Sequence, residues 1–290
     1  MKLIKWDKLR ILVTNRCNYR CPFCHNEGQE KGEQVGMMSV ESFKQLINYL
    51  DGQILSEINF SGGEPFLHKE IVDMIVYAND HMPCDISCAT NLSLITDEQI
   101  VHLAKTRVKF NIQFPFVSEN DFARSTGTGK LCKVLDKIKA VKSAGIKIGL
   151  NTVIQSTNND TIEQMVMFAL ENELPLKLLP QIGLEGSDQI INDIQPILKK
   201  YAVEFVNKGT GALRWTIRNG SHQTSALYID SPCFNQDIKT CRNYGEIRIH
   251  PDFMLQCCIM KGAKERICLE NGKEFVVDQF ERLWNDFNHC

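Results

Sequence analysis

Residues 9–24 read LRILVTNRCNYRCPFC, an apolar run that leads directly into three cysteines. The apolar residues Leu9–Val13 predict a short β-strand, and the polar residues that follow predict a loop. In that loop Cys17, Cys21 and Cys24 form a C-x3-C-x2-C array. Clustered thiols in a reducing compartment are typical of metal ligands, so this stretch predicts a metal site at the end of the first strand.

Two kinds of metal site compete for this array. A structural zinc site requires four protein ligands, and His25, adjacent to Cys24, is poorly placed to complete a tetrahedron. Three thiolates instead suit a cubane [4Fe-4S] cluster with one iron open to an external ligand. The array favours the cluster, and a non-catalytic zinc or iron module is the alternative from another class.

Strand and helix patterns alternate outward from this loop to about residue 207. Alternation with short links predicts an α/β protein with a parallel sheet. Six units predict a partial (β/α)6 TIM-type barrel rather than a closed barrel of eight, with its chemistry at the carboxyl ends of the strands. The predicted strands are Leu9–Val13, Glu57–Ser61, Asp85–Ala89, Val108–Gln113, Lys147–Val153 and Leu176–Leu179. The predicted helices are Val40–Leu50 with Ser39 as N-cap, Lys69–Asn79, one from a Thr96–Gln99 capping box to Thr106, Leu131–Ala144 and Thr161–Asn172.

The second predicted strand ends in Ser61-Gly62-Gly63-Glu64-Pro65. Glycines at this point permit close approach of the backbone to a ligand. Together, the cysteine array and this Gly-Gly-Glu-Pro sequence resemble the radical S-adenosylmethionine (SAM) superfamily. The resemblance implies a [4Fe-4S] cluster whose open iron binds SAM. It also implies reductive cleavage of SAM to methionine and a 5'-deoxyadenosyl radical, which abstracts hydrogen from a substrate.

The resemblance further implies contacts to SAM at several strand ends. Glu64 is expected to accept from the methionine ammonium group, Thr90 and Asn91 to lie near the ribose, and Phe23 to lie beside the adenine. Capping of strand ends is the structural alternative for the polar residues of the later strands. The expected SAM-binding residues are Phe23, Gly62, Gly63, Glu64, Thr90, Asn91, Gln113 and Asn151. A reductase with flavodoxin, or a ferredoxin, is the implied electron donor.

Half of the twelve cysteines lie in the last 58 residues. There the segment Cys241–Cys258 resembles the auxiliary-cluster hairpin of the GTP 3',8-cyclase-like branch and the Twitch and SPASM extensions of peptide-modifying relatives. The segment departs from that pattern, because Phe253 replaces the turn glycine and Tyr244 replaces the second cyclase cysteine. We expect a radical SAM core over 1–207 and a small hairpin and helix domain over 208–290. The expected ligands of a second [4Fe-4S] cluster are Cys233, Cys241, Cys258 and either Cys268 or Cys290. Reduced structural cysteines are the alternative.

Adjacent residues of a strand point to opposite faces, so one of Cys257 and Cys258 is expected to be spare. Cys257 facing the barrel is a candidate hydrogen donor to a substrate radical, with simple packing as the alternative. Arg10 and Arg248 fall where the cyclase has two substrate-binding arginines, while Glu246 reverses the charge at the third position.

Two substrate classes follow from these features. A peptide modified after translation is the first choice, because of the Twitch-like cysteines, the lost cyclase cysteine and the spare thiol. A nucleotide or other small phosphorylated molecule, rearranged or cyclised as by the GTP 3',8-cyclase, is the alternative that Arg10 and Arg248 favour.

Composition excludes other classes of protein. The 290 residues carry 33 Lys and Arg against 35 Asp and Glu, a balance that argues against nucleic-acid binding. No run approaches the length of about 18 apolar residues that a membrane span requires. The first residues carry Lys2, Lys5 and Lys8 and do not resemble a signal peptide, so we expect a cytoplasmic protein with reduced thiols.

Overall fold

A single mixed sheet organises the chain. The structure, a computed structural model, describes residues 3–24, 36–154 and 159–289, in which twelve strands and nine helices are found. The strands are β1 (Lys8–Leu12), β2 (Glu57–Ser61), β3 (Asp85–Thr90), β4 (Lys109–Gln113), β5 (Lys147–Ile154), β6 (Leu176–Pro180), β7 (Ala202–Asn207), β8 (Ala212–Asn219), β9 (His222–Ile229), β10 (Glu246–Ile249), β11 (Met254–Gln256) and β12 (Glu265–Arg266). The helices are α1 (Val40–Leu50), α2 (Ile71–His81), α3 (Asp97–Leu103), α4 (Glu119–Thr126), α5 (Leu131–Ser143), α6 (Asn159–Glu171), α7 (Ile190–Tyr201), α8 (Ile238–Tyr244) and α9 (Lys273–Asp286).

The first six strands pair in chain order and run parallel, as the alternating pattern predicts. β10 adds in parallel beside β1, and β9 adds in parallel beside β6. Antiparallel strands complete the two edges, so the order is β12-β11-β10-β1-β2-β3-β4-β5-β6-β9-β8-β7. Strands from both sides of residue 208 thus share one sheet, and the division at that residue stays a prediction.

The two faces of the parallel sheet differ in polarity. Side chains alternate along a strand, so Leu9 and Ile11 of β1 are fully buried in the apolar core, while Lys8 and Arg10 line a cavity. That single cavity is lined by residues of β1 to β6 and of β10. A sheet whose seven neighbouring strands face one cavity must curve around it, which gives the predicted partial barrel.

Helix caps follow the sequence closely at two places. The Ser39 side chain accepts from the Ser42 amide before α1, and Thr96 with Gln99 forms the predicted capping box before α3. In the described part of the chain, no helix is long and apolar enough to cross a membrane.

Candidate active site

The three cysteines of the first loop lie beside one another at the carboxyl end of β1. Burial raises the pKa of Cys21 to about 12, and the nearby Cys17 and Cys24 raise it as well. Burial is also the main cause that raises the pKa of Cys17 to about 11. Because three buried thiolates repel one another, a cationic centre is needed to hold them together in ionised form.

The donor set of this loop is three thiols, which suit a [4Fe-4S] cluster because each thiolate binds a different iron and one iron stays open. Within residues 3–24, 36–154 and 159–289, no three His, Cys, Asp or Glu side chains are placed to hold one metal ion. His25, the zinc alternative, lies outside the described residues.

The Gly-Gly pair after β2 supports the cysteine loop. The Gly63 amide donates to the Thr14 carbonyl at 2.8 Å, and the Glu64 amide donates to the Arg16 carbonyl at 2.7 Å. A Cβ on Gly63 would lie 1.8 Å from the Arg16 carbonyl oxygen, and one on Gly62 would lie 2.4 Å from the Thr14 carbonyl oxygen. Close approach of this backbone, rather than of a ligand, is what requires glycine here.

The Glu64 side chain connects that turn to the end of β3. Its carboxylate is buried and accepts from Thr90 Oγ1 at 2.6 Å, from the Asn91 amide at 2.7 Å and from the Phe66 amide at 3.2 Å. Burial raises its pKa to about 7, although these three hydrogen bonds favour the ionised form. Glu64 and Thr90 are therefore bound to each other here, and their direct contact with SAM stays a prediction.

Further hydrogen bonds hold the cysteine loop from two other directions. Asn91 Nδ2 donates to Asn18 Oδ1 at 2.8 Å, which ties the loop to β3. The Arg20 amide donates to the Thr126 carbonyl at 2.8 Å, and Thr128 Oγ1 donates to the Asn18 carbonyl at 2.7 Å. Residues that follow β2 and β3, together with the C-terminal end of α4, thus fix the loop.

Two predicted SAM residues present buried polar atoms. Gln113 of β4 and Asn151 of β5 are neighbours in the sheet register. In the described part of the chain, Gln113 Nε2 and Asn151 Oδ1 have no hydrogen-bond partner. The edge of an adenine ring also has a donor beside an acceptor, so it can pair with these two side chains. The residues therefore fit SAM. Phe23 is buried in the apolar core of the cysteine loop.

Charged side chains fill the barrel below this loop. Arg10 of β1 forms a bidentate pair with Glu246 of β10, with both N–O distances 3.0 Å, and Arg248 contacts the same carboxylate at 3.1 Å. Burial would raise the pKa of Glu246, but the two arginines hold it at about 2. The two predicted substrate arginines therefore lie together. Both bind Glu246, the acidic residue at the position of the cyclase's third arginine.

The sequence patterns did not reveal several residues of this cavity, whose volume is about 60 Å³. One signal was available, because Lys177 interrupts a leucine-rich strand at a position that period-two alternation places on the barrel face. The lining residues are Lys8, Leu9, Arg10, Glu57, Asn59, Ala89, Asn111, Asn151, Lys177, Tyr244 and Glu246.

The C-terminal cysteines are arranged differently from the expectation. β11 ends at Gln256, so strand alternation does not govern the next two residues, and Cys257 and Cys258 line the same cavity. Burial raises the pKa of Cys257 to about 12, with Cys241 and Cys258 close enough to raise it further. The structure thus brings these three thiols together. Their cavity and the barrel cavity have no lining residue in common.

Within the described residues, no contact joins the other predicted ligands, Cys233 and Cys268, to these three thiols. Cys268 Sγ lies 3.7 Å from the Arg266 carbonyl oxygen, and the Cys233 amide donates to Ser231 Oγ at 3.3 Å. Cys290 lies outside the described residues. The four-thiolate set and a hydrogen-donor role for Cys257 stay predictions. Phe253 has φ +66°, the left-handed backbone for which the resembling hairpins have glycine.

A three-thiol loop at the carboxyl end of a parallel barrel strand, beside unpartnered buried polar groups, defines an iron–sulfur enzyme of the barrel class. The chain belongs to the radical SAM superfamily, whose sequence model matches residues 11–169, more than half of its length. It is therefore a radical SAM enzyme, and the family implies a [4Fe-4S] cluster and SAM as cofactors.

Sequence relatives agree with this family, and solved structures agree with its fold. The chain is 29% identical to a probable GTP 3',8-cyclase of Methanocella arvoryzae, over 88% of this chain and 82% of that protein. It is 26% identical to the GTP 3',8-cyclase of Clostridium perfringens strain 13, over 92% and 85%. SuiB of Streptococcus suis bound to S-adenosylmethionine superposes with a TM-score of 0.70 at 13% identity, over 92% of this chain and 65% of SuiB. Native anSMEcpe with bound AdoMet superposes with a TM-score of 0.68 at 12% identity, over 98% and 82%. At these identities the structures support the partial-barrel fold alone.

Proposed function

We propose that this enzyme rearranges or cyclises a small anionic molecule, a nucleotide or another phosphorylated metabolite, inside its barrel. One observation carries the proposal: the cavity below the cysteine loop is lined by Lys8, Arg10 and Lys177 against two carboxylates, Glu57 and Glu246. Cationic side chains at a barrel interior suit phosphate or carboxylate groups. The relatives named GTP 3',8-cyclase support the same class of substrate.

A peptide substrate, the first choice from sequence, has less support. The likeness to SuiB and anSMEcpe rests on 12–13% identity and carries the fold only. The spare thiol that favoured a peptide lines a cavity of its own rather than the barrel. Peptide modification is therefore the second candidate.

The residues of the chain have separate roles in this proposal. When bound, the cluster supplies one electron that splits SAM into methionine and a 5'-deoxyadenosyl radical. Glu64, through Thr90 and Asn91, holds the cysteine loop against β3. Gln113 and Asn151 orient the adenine, and the cavity wall positions the substrate below it. The reductant is external, a flavodoxin or ferredoxin.

We further propose a second [4Fe-4S] cluster in the C-terminal region. The neighbouring thiols Cys241, Cys257 and Cys258 support it, and Lys264 and Arg242 beside Cys257 would favour thiolates. Cys233, Cys268 and Cys290 are the candidates for a fourth ligand.

The substrate class is tested by isotope transfer. Anaerobically reconstituted enzyme is given SAM, a reductant and a labelled substrate. The three arms are ribose-deuterated GMP, ribose-deuterated GTP and a mixture of deuterated peptides. We expect deuterium in 5'-deoxyadenosine from a nucleotide and none from the peptides. Cys132→Ala, which removes an exposed thiol on α5, serves as the control and should behave as wild type. Transfer only from a peptide would overturn the proposal.

A further inference from the structure

The barrel cavity holds a lysine that lies near Glu57 and Glu246 but forms no ion pair with either. Lys177 lies on β6 between Leu176 and Leu178, which are buried on the opposite face. Its side chain lines the cavity, and its ammonium group has no hydrogen bond or ion pair to any residue that the structure describes. Burying an ammonium group without a bonded partner is costly, so a lysine in this position suits an anionic group of a ligand.

A second lysine adds to this positive charge. Gly149 of β5 has no side chain, and Lys109 Cε lies 3.5 Å from the position that a Cβ of Gly149 would occupy. Lys109 thereby extends from β4 across β5 towards β6. Burial lowers the pKa of Lys177 to about 8, and the positive charge of Lys109 is the next largest cause that lowers it. Two lysines from non-adjacent strands thus lie close enough for their charges to interact.

The arginines on the other side of the cavity are already engaged. Arg10 uses Nε and Nη2, the edge that holds a phosphate bidentately, on the two oxygens of Glu246. Arg248 Nη2 contacts Glu246 Oε1. A polyphosphate would have to displace this buried carboxylate from both arginines. Glu246 therefore acts against ligands that need the arginines, while Lys177 stays open to a smaller anion.

The remaining polar groups indicate what else the ligand carries. Asn59 Nδ2 donates to Ser87 Oγ, and Ser87 Oγ donates to Glu57, which fixes the orientation of the Asn59 amide. Among the residues that the structure describes, Asn59 Oδ1 is then a buried acceptor without a partner. A ligand that satisfies it presents an N–H or O–H group.

We propose that Lys177 anchors one phosphate or carboxylate group of a small ligand, and that Glu246 excludes polyphosphates by occupying Arg10 and Arg248. This inference rests on the proposed function and narrows it to substrates with a single anionic group and a hydrogen-bond donor.

Anaerobic calorimetry of the reconstituted enzyme tests this without any SAM cleavage. The probes are inorganic phosphate, acetate and tripolyphosphate, so that the phosphate and acetate arms distinguish a phosphate-bearing from a carboxylate-bearing ligand. Wild type should bind one of the two single anions at least as tightly as tripolyphosphate. Lys177→Gln should weaken that binding about tenfold or more, as expected for loss of a charge-assisted hydrogen bond. Lys177→Arg should retain it, and Lys133→Gln on the exposed face of α5 is the control.

Glu246→Gln gives the complementary result. With the carboxylate charge removed, tripolyphosphate affinity should rise about tenfold or more, because each arginine then favours an external anion. Equal anion binding by wild type and Lys177→Gln, or a wild-type preference for tripolyphosphate, would overturn the inference. Circular dichroism and thermal melting confirm that each variant is folded. The proposed function fails separately, through deuterium transfer to 5'-deoxyadenosine from a labelled peptide alone.

Discussion

The two cysteine-rich regions of this enzyme differ in how the protein supports them. The N-terminal loop is fixed by the backbone of Gly62 and Gly63, by Glu64 and by the Asn18–Asn91 pair. The C-terminal thiols follow a three-residue strand or lie on α8, a helix with no fully buried residue. A metal site predicted from cysteine spacing is thus well supported where neighbouring strand ends hold the loop in place. It has less support where the spacing of the cysteines is the main argument.

The strongest way to break the N-terminal support is Gly63→Ala. A Cβ at this position meets a backbone carbonyl that has no room to move, so the cysteine loop must shift. We expect loss of about four irons per chain and of 5'-deoxyadenosine formation. Cys132→Ala is the control, since it changes an exposed side chain on α5 that belongs to neither cysteine-rich region. Iron and sulfide analysis checks the result, and full iron content in Gly63→Ala would contradict it.

The C-terminal region is tested by single cysteine substitutions. Fully reconstituted enzyme should hold about eight irons, and Cys241→Ala should hold about four. The Cys17→Ala/Cys21→Ala/Cys24→Ala variant should also keep about four. Iron falling to zero in that triple variant would mean that the C-terminal thiols bind none. Comparison of Cys257→Ala with Cys258→Ala shows which of the adjacent residues is a ligand.

A smaller effect is expected from pH on anion binding in the barrel. Lys177 faces Lys109, Arg10, Glu57 and Glu246, and its pKa is lowered to about 8. Acetate stays ionised across this range, so its affinity should be constant below pH 7 and fall as the pH rises through about 8. In Lys177→Arg the affinity should stay level to pH 9.5, because a guanidinium does not deprotonate there. Equal pH profiles for the two proteins would exclude Lys177 as the titrating group.

The smallest effect concerns Glu64. Glu64→Gln keeps the volume but replaces an acceptor oxygen with an N–H₂ group opposite the Asn91 amide or Thr90 Oγ1. We expect about 1–3 kcal/mol lower free energy of unfolding, the cost of an unmade buried hydrogen bond. Chemical denaturation measures this, with Glu98→Gln on the exposed face of α3 as the control. A change below about 0.5 kcal/mol would contradict the proposed link between β2 and β3.

Much of the barrel was predictable because its strands are short apolar runs between clear helix patterns. Periodicity found β1 to β6 within one or two residues, and hydrogen-bonding side chains located the starts of α1 and α3. It missed α4, whose only large apolar residue is Phe122, and α7, which contains Pro196. It also missed β7, an edge strand exposed along nearly all its length.

The site was predictable only where a motif has fixed spacing. The three N-terminal cysteines and the Gly-Gly-Glu-Pro turn identified the family, but not the reason for the glycines, which depends on where another loop lies. Lys177 was missed because a charged residue in a strand is usually taken as solvent-facing, and here that face is the interior of the barrel. The pairing of Arg10 and Arg248 with Glu246 depends on β10 adding beside β1, a pairing across 236 residues that no local pattern reveals.

Release of 5'-deoxyadenosine tests the central claim most directly. Reconstituted wild-type enzyme with SAM and a strong reductant should form 5'-deoxyadenosine, and the Cys17→Ala/Cys21→Ala/Cys24→Ala variant should form none. Wild-type amounts of 5'-deoxyadenosine from that triple variant would contradict the assignment of the cluster to the N-terminal loop, and with it the account of the active site.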